Sequence, residues 1–171
     1  MGGTKIAEWL QRFSSAVPKD QAIVEVGCWL GAGTQFLVRP EGELYVYDRF
    51  AASWQEVEKA KAFGITLALG ENTLPRVKAS LPKGIKFHRG EIARAKYRGG
   101  TIGLYVDDAC KRAPMWARAM RIFERHFIPG TMLVLMDYDF YPCECQRRYA
   151  VKWEMLERGI GDTCAAVFRV P

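Results

Sequence analysis

The stretch V-E-V-G-C-W-L-G-A-G-T, residues 24 to 34, decides the fold of this 171-residue chain. The run from Ala22 to Val26 is apolar and rich in β-branched residues, as buried strands are. Glycines follow it at positions 27, 31 and 33. Glycine adopts backbone angles that other residues avoid and lets the chain approach a bound group closely. A buried strand leading into such a loop is typical of the first strand of nucleotide-binding α/β folds.

The spacing of these glycines discriminates between classes of nucleotide. A dinucleotide fingerprint requires G-x-G-x-x-G, in which the second glycine leaves room for the pyrophosphate. Trp29 holds that second position, and the spacing found is G-x-x-x-G-x-G. Because the indole would fill the place of the pyrophosphate, the loop disfavours NAD. The chain also lacks G-x-x-x-x-G-K-[ST], so it has no P-loop.

Strand-like and helix-like patterns alternate along the chain. Apolar runs of strand length lie at 22–26, 43–47, 85–89, 102–106, 132–136 and 164–170. Helical patterns lie at 4–17, 33–38, 53–63, 73–81, 114–127 and 144–158. This order predicts one α/β domain over residues 1–171, a Rossmann-like three-layer sandwich around a mostly parallel sheet. Its parts are an N-terminal helix within 1–20, a core at 22–140, and a helix and strand within 141–171.

Composition limits the class of protein. Apolar residues make up 49% and charged residues 26%, and the apolar runs are short, so we expect a cytoplasmic protein without a membrane span. The five cysteines are expected to be reduced thiols, and Cys143-Glu144-Cys145 lacks the second ligand pair of a zinc site. The net charge of +6 is compatible with nucleic acid, although a solvated basic surface is the simpler interpretation.

Carboxylates concentrate where the predicted strands end, although the chain is basic overall. They are Asp48, Glu91, Asp107, Asp108, Asp137 and Asp139. Ligands of open α/β sheets bind beyond the carboxyl ends of the strands, at the point where the strand order reverses. We therefore expect a functional cleft at this edge, suited to a ligand with cationic or hydroxyl-rich parts.

Five segments together resemble one family. V-E-V-G-C-W-L-G-A-G-T looks like motif I of the class I S-adenosylmethionine (SAM)-dependent methyltransferases, and its tryptophan resembles the G-V-W-R-G-G form of macrocin O-methyltransferase-like proteins. Four more segments are similar to motifs of that branch, in the family's order: Y-V-Y-D-R-F (45–50), F-H-R-G-E-I (87–92), I-G-L-Y-V-D-D-A (102–109) and I-P-G-T-M-L-V-L-M-D-Y-D (128–139). The resemblance covers residues 22–140.

The resemblance implies a SAM-binding methyltransferase acting on a hydroxyl of a small molecule or sugar. It implies these cofactor-binding residues: Glu25, Gly27, Trp29, Gly31, Gly33, Asp48, Arg49, Gly90, Glu91 and Asp107. In it, Asp48 would accept hydrogen bonds from both ribose hydroxyls, Glu25 would orient the methionine end, and Glu91 would meet the adenine amine. Two alternatives stay open: an N- or RNA-directed methyltransferase, and a degenerate SAM-binding or interaction module without methyl transfer.

Methyl transfer to a hydroxyl also needs a base or a metal that promotes the oxyanion. The catalytic candidates are Asp107, Asp108 and Asp137, with Asp139 and His88 as further candidates. Macrocin-type enzymes bind magnesium through aspartates, and their positions map onto Asp107 and Asp137.

Two departures argue against that magnesium site. Met136 replaces the first acid of the family's D-D-Y pair, and Ala109 replaces the second acid of D-G-D.

Only 21 residues precede the first predicted strand, where this family has lid elements over the acceptor. We therefore expect an acceptor pocket that is open, reduced, or completed by a second subunit of a homo-oligomer.

Overall fold

The computed structural model describes residues 4–139, 151–159 and 164–171. Its α-helices are α1 (Thr4–Ala16), α2 (Trp54–Lys61), α3 (Leu74–Ser80) and α4 (Ala113–Phe123). Its strands are β1 (Ala22–Val26), β2 (Leu44–Asp48), β3 (Lys86–Arg89), β4 (Ile102–Asp107), β5 (Phe127–Leu135), β6 (Glu154–Arg158) and β7 (Ala166–Arg169). Short 3₁₀ helices cover Thr34–Leu37, Ile92–Arg94 and Glu124–His126.

The strands form one sheet in the order β3-β2-β1-β4-β5-β7-β6. Strands β1 to β5 are parallel, and β7 runs antiparallel to both β5 and β6. The register places Val26 beside Tyr47 of β2 and beside Asp107 of β4, so the carboxyl ends of the central strands lie level. The strand order reverses between β1 and β4, and this is where ligands bind in open α/β sheets.

Helices cover both faces of the sheet. The apolar side of α1 packs on one face through Trp9, Leu10 and Phe13, as its spacing of three and four residues predicts. The other face is covered by α4, whose Trp116 and Phe123 are fully buried. Strands β1 and β4 are buried along their whole length, which explains their nearly continuous apolar sequence. The predicted α/β sandwich with a mostly parallel sheet is confirmed.

The prediction of a helix over 144–158 was wrong in its last part. Glu154–Arg158 forms strand β6, which pairs with β7 at the edge of the sheet, whereas 144–150 lie outside the described residues. The segment E-M-L-E-R consists of good helix formers, but the ladder to the apolar β7 outweighs that weak preference. The described residues therefore contain one strand more than the sequence indicated.

The segment after the glycine loop also differs from the prediction. Residues 33–38 were expected to form a helix, and the structure has a single 3₁₀ turn at Thr34–Leu37. None of the helices in the described part of the chain is long and apolar enough to cross a membrane.

Candidate functional site

A cleft of about 700 Å³ opens at the carboxyl ends of β1, β2 and β4. This volume lies within the range of about 300–1,000 Å³ that is usual for small-molecule sites. Six of the residues predicted to bind a cofactor line it: Gly27, Trp29, Asp48, Arg49, Gly90 and Glu91. The catalytic candidates Asp108 and Asp137 line it as well. The sheet thus brings together residues that are up to 110 positions apart in the sequence.

The Asp48 carboxylate holds the glycine loop in place. One oxygen, Oδ2, accepts hydrogen bonds from the backbone N–H groups of Cys28 at 2.9 Å and Trp29 at 3.2 Å. The other, Oδ1, accepts from the N–H of Phe50 at 2.7 Å. Gly27 has a φ of +88°, and an added Cβ there would lie 2.8 Å from the Cβ of Ala109. A glycine is therefore required for the loop and the turn after β4 to meet at the base of the cleft.

The Trp29 side chain forms part of the wall of the cleft. Its backbone φ of 50° is left-handed, which is unusual for a bulky residue. Its ring packs 6.3 Å from that of Phe63, and the ammonium of Lys59 lies 4.7 Å from the ring centroid. The indole therefore leans against α2 and leaves the cleft open. Its Nε1 is buried without a hydrogen-bond partner among the described residues.

Three predicted cofactor residues stand behind the loop and do not line this cleft. Glu25 is 3% exposed, and it accepts a hydrogen bond of 2.7 Å from the Thr34 hydroxyl. Burial raises the pKa of Glu25 to about 8, although the bond from Thr34 acts in the opposite direction. A Cβ on Gly33 would lie 3.5 Å from a Glu25 oxygen, and one on Gly31 would lie 3.1 Å from Leu81. These residues shape the loop from its inner side.

Asp107 also points away from the cleft. It is fully buried, and its Oδ2 accepts a hydrogen bond of 2.8 Å from the Tyr105 hydroxyl. Its Oδ1 accepts from the N–H groups of Ala109 at 3.0 Å and Cys110 at 2.7 Å. Burial, followed by the charge of Asp107, holds the pKa of Tyr105 well above its usual value. The Asp107 carboxylate thus closes the turn after β4, and the structure does not bring it into the cleft with Asp108 and Asp137.

A lysine that sequence reasoning missed joins the two remaining aspartates. The ammonium of Lys111 donates to Oδ1 of Asp108 at 2.9 Å and to the carbonyl of Met136 at 2.7 Å. It also lies 3.3 Å from Oδ2 of Asp137. Residues 108–111 form a turn rather than a helix, so no periodic pattern in the sequence signalled this contact. Desolvation by the surrounding protein raises the pKa of the Asp108 carboxyl group, and the charge of Lys111 opposes this rise. The Asp108 side chain remains 46% exposed.

The described residues do not fit a magnesium ion. Within 4–139, 151–159 and 164–171, no cluster of three or more His, Cys, Asp and Glu side chains could hold a metal. Asp107 is turned inward, and Asp137 faces the ammonium of Lys111. Asp139 forms an ion pair with Arg158 at 2.6 Å. Cys143 and Cys145 lie outside the described residues.

The last predicted candidate, His88, lies beside the cleft and not in it. Its ring stacks on Tyr47, with the centroids 4.5 Å apart and the planes 9° from parallel. Burial, then the charge of Lys86, lowers the pKa of His88. His88 lines a second groove, which shares Tyr47, Arg49, Gly90 and Glu91 with the cleft.

The sheet order and the cleft at its switch point define the fold of the class I SAM-dependent methyltransferases, as solved structures show. The O-methyltransferase NovP matches 98% of this chain and 80% of its own, with a TM-score of 0.71 and 16% identity. The N-methyltransferase NodS from Bradyrhizobium japonicum WM9 matches 96% of this chain and 94% of its own (TM-score 0.58, 18% identity). An rRNA methylase from Streptococcus thermophilus matches 100% and 99% (TM-score 0.59, 13% identity).

No family model and no curated protein sequence matches the chain. The likeness is therefore one of fold, and it confirms the class that the five sequence segments indicated. It does not distinguish the macrocin branch from its neighbours, because O-, N- and rRNA methyltransferases all share the sheet.

Proposed function

We propose that this chain transfers a methyl group from SAM to a hydroxyl oxygen of a small molecule or sugar. The observation that carries the proposal is the cleft at the switch point, in which the glycine loop meets five carboxylates and three cationic side chains. The carboxylates are Asp48, Glu56, Glu91, Asp108 and Asp137, and the cations are Arg49, Lys59 and Arg112. SAM carries a sulfonium and an ammonium group, and a cleft with several carboxylates complements those positive charges. The O-methyltransferase NovP shares this fold at a TM-score of 0.71, as N- and rRNA methyltransferases do at 0.58 and 0.59, so the fold supports methyl transfer and leaves the acceptor to the chemistry of the cleft.

The residues of the cleft divide between cofactor and acceptor. Asp48 already accepts three backbone hydrogen bonds, and a carboxylate offers about four acceptor positions. We infer that it accepts directly from one ribose hydroxyl, and that its main role is to fix the loop on which the ligand rests. Glu91 is exposed at the rim of the cleft, where it would accept from the adenine amine.

When bound, SAM supplies a methyl group activated by its sulfonium. Asp108, whose pKa is raised, would accept the proton of the acceptor hydroxyl as the oxygen–carbon bond forms. The methyl group would leave sulfur at the same time, and the electron pair of the broken bond would stay on sulfur. The fixed loop and cleft would align the two reactants, and such alignment supplies several kcal/mol of the rate enhancement.

Thermal denaturation with S-adenosylhomocysteine tests the cofactor claim. At about 100 times the dissociation constant, a ligand adds about 2.7 kcal/mol of stability, which raises Tm by roughly 5–10 °C for a chain of this size. Asp48→Ala should abolish this rise, whereas Asp20→Ala, at an exposed position outside the cleft, should keep it. No rise in the wild type at millimolar ligand would contradict the proposal. A rise without turnover on any hydroxyl acceptor would support the degenerate binding module instead.

A second candidate function, methylation of RNA, is favoured by the groove beside the cleft. It has a volume of about 1030 Å³ and contains five cationic side chains, Arg49, Arg89, Arg94, Lys96 and Arg98, and one acid, Glu91. Within the described part of the chain, none of the five cations forms an ion pair. The groove also exposes His88 on its tyrosine stack, and aromatic faces next to basic side chains suit single-stranded nucleic acid.

A further inference from the structure

Three oxygens converge on the ammonium of Lys111 at the floor of the cleft. They are the carbonyl of Met136 at 2.7 Å, Oδ1 of Asp108 at 2.9 Å and Oδ2 of Asp137 at 3.3 Å. The Lys111 side chain is 17% exposed, whereas those of Asp108 and Asp137 are 46% and 42% exposed. The cation therefore lies beneath the two carboxylates, and the carboxylates face the cleft.

The main chain fixes this arrangement. The N–H of Met136 donates to the carbonyl of Asp107 at 2.9 Å, which ties the end of β5 to the end of β4. Asp137 then adopts a φ of 54°, a conformation that costs energy in a non-glycine residue. Both turns are thus held with their oxygens directed at one point, and an ammonium group has three N–H donors for these three acceptors.

Two carboxylates and a carbonyl at one point are also the oxygen ligands that hard divalent cations prefer. A cation is needed there, because each of two neighbouring carboxylates disfavours the ionisation of the other. With the lysine, the cluster has a net charge of −1. A divalent ion in its place would bring the charge of the same two carboxylates to zero and leave no counter-charge for a cationic ligand.

We propose that Lys111 is the resident cation of this centre, so that the described acids bind no divalent metal and the centre keeps one negative charge for a sulfonium. The role of the remaining negative charge toward a sulfonium rests on the proposed methyl transfer. The exclusion of a divalent metal does not depend on it. Lys111 is a positioning residue: it contacts Asp108 and Asp137 from below and holds them turned toward the cleft, and it does not itself line the cleft.

Binding of Mn²⁺, followed by the electron paramagnetic resonance signal of the free ion, tests the inference. The wild type should bind no Mn²⁺ at this centre up to about 1 mM, and Lys111→Arg should behave in the same way. Lys111→Ala and Lys111→Met should bind Mn²⁺ at least tenfold more tightly than the wild type. Adding Asp137→Asn to Lys111→Ala should remove the gained site. A lysine that served only to support the fold would not produce this gain.

Two results would overturn the inference. One is that the wild-type protein binds Mn²⁺ and that Asp137→Asn removes this binding. This result does not require either lysine variant to fold. The other is the absence of any gain in folded Lys111→Ala or Lys111→Met protein. The effect of S-adenosylhomocysteine on the wild-type Tm, with and without a chelator, is measured in parallel. No rise in Tm in either condition contradicts the proposed function alone, whereas a rise that the chelator abolishes contradicts the resident lysine.

Discussion

At the scale of single residues, Glu25 shows how a strand position decides the chemistry of a carboxyl group. Alternate residues of a strand face opposite sides of the sheet. Val24 and Val26 pack toward α4, so Glu25 faces the α1 layer together with Ile23. Burial there raises the pKa of Glu25 to about 8, and its carboxyl group is therefore mostly protonated at pH 7. Glu25 thus acts as a neutral hydrogen-bonding partner of Thr34.

We expect this proton to couple stability to pH. A glutamate with a folded pKa of about 8 and an unfolded value near 4.5 binds more protons in the native state between those two values. The contribution of Glu25 to the free energy of unfolding is therefore fully present below about pH 4.5. It is lost as the pH rises toward 8, by up to about 1.4 kcal/mol per pH unit. Glu25→Gln should remove this slope from the free energy of unfolding measured by urea denaturation between pH 5 and 8.

The control for Glu25 is Glu41→Gln, at an exposed glutamate. The free energy of unfolding of Glu41→Gln should follow the same pH dependence as that of the wild type. The Glu25→Gln variant should show a flatter pH dependence and should be more stable than the wild type at pH 8. Parallel curves for the wild type and Glu25→Gln would show that Glu25 is ionised in the folded protein.

The sequence predicted the residues of the cleft unevenly, and the reason lies in side-chain direction. Asp48, Asp108 and Asp137 were found because the ends of parallel strands meet at one edge. Glu25 was assigned to the same site from the resemblance, and Asp107 from both its strand-end position and the resemblance. Neither ground carries information on which way a side chain points. Lys111 was missed because its contact with Met136 exists only after β4 and β5 pair.

At the scale of elements, α2 begins at a capping box. Ser53 accepts a hydrogen bond from the N–H of Glu56, and the Glu56 side chain accepts from the N–H of Ser53. The helix that follows carries Lys59, whose ammonium packs on the ring of Trp29 in the wall of the cleft. The box thus fixes the start of the helix that supports one side of the candidate site.

Ser53→Ala should destabilise the protein by about 1 kcal/mol, because one N-terminal amide of α2 loses its acceptor. For a domain of this size, the loss corresponds to a fall in Tm of roughly 2–4 °C in calorimetry. Ser53→Asp, which keeps an acceptor at the cap, should restore most of the difference. The comparison is Ser15→Ala at an exposed position of α1. If the two alanine variants melted at the same temperature, the capping box would contribute nothing to stability.

Elements with local or strongly apolar signals were predictable, and elements defined by pairing were not. The strands β1, β2 and β4 lie within one residue of the predicted ranges, because their continuous apolar runs are buried on both faces. Strand β6 was missed, because only its ladder to β7 distinguishes E-M-L-E-R from a helix. The segment Thr34–Leu37 forms only one 3₁₀ turn, although its Leu37 is fully buried in the core beside α1.

At the scale of the whole molecule, part of the positive charge is clustered in one groove, although the basic residues are scattered along the sequence. The +6 of the chain includes the five cations of the groove, which reach the sheet edge from β2, β3 and the segment after β3. The groove meets the cleft at Tyr47, Arg49 and Gly90. A strand of nucleic acid lying in the groove would therefore extend to the proposed methyl-transfer site.

We expect the groove to bind single-stranded RNA in a salt-dependent manner if the second candidate function holds. Fluorescence anisotropy of a labelled 12-mer oligouridylate measures the association constant K at several salt concentrations. Each phosphate contact contributes about −0.7 to the slope of log K against log salt for single strands. The triple variant Arg94→Ala, Lys96→Ala, Arg98→Ala should therefore reduce the magnitude of the slope by about 2, and His88→Ala should weaken binding through lost stacking.

A matched triple variant separates a built site from general positive charge. Lys5→Ala, Lys19→Ala and Arg76→Ala remove the same three charges from exposed positions outside the groove. If a diffuse basic surface attracts RNA, both triple variants lose the same affinity, because only net charge matters at long range. If the groove holds the strand, the control keeps nearly the wild-type slope. The first outcome, or no RNA binding by the wild type at low salt, would leave the small-molecule or sugar hydroxyl as the acceptor that the cleft supports.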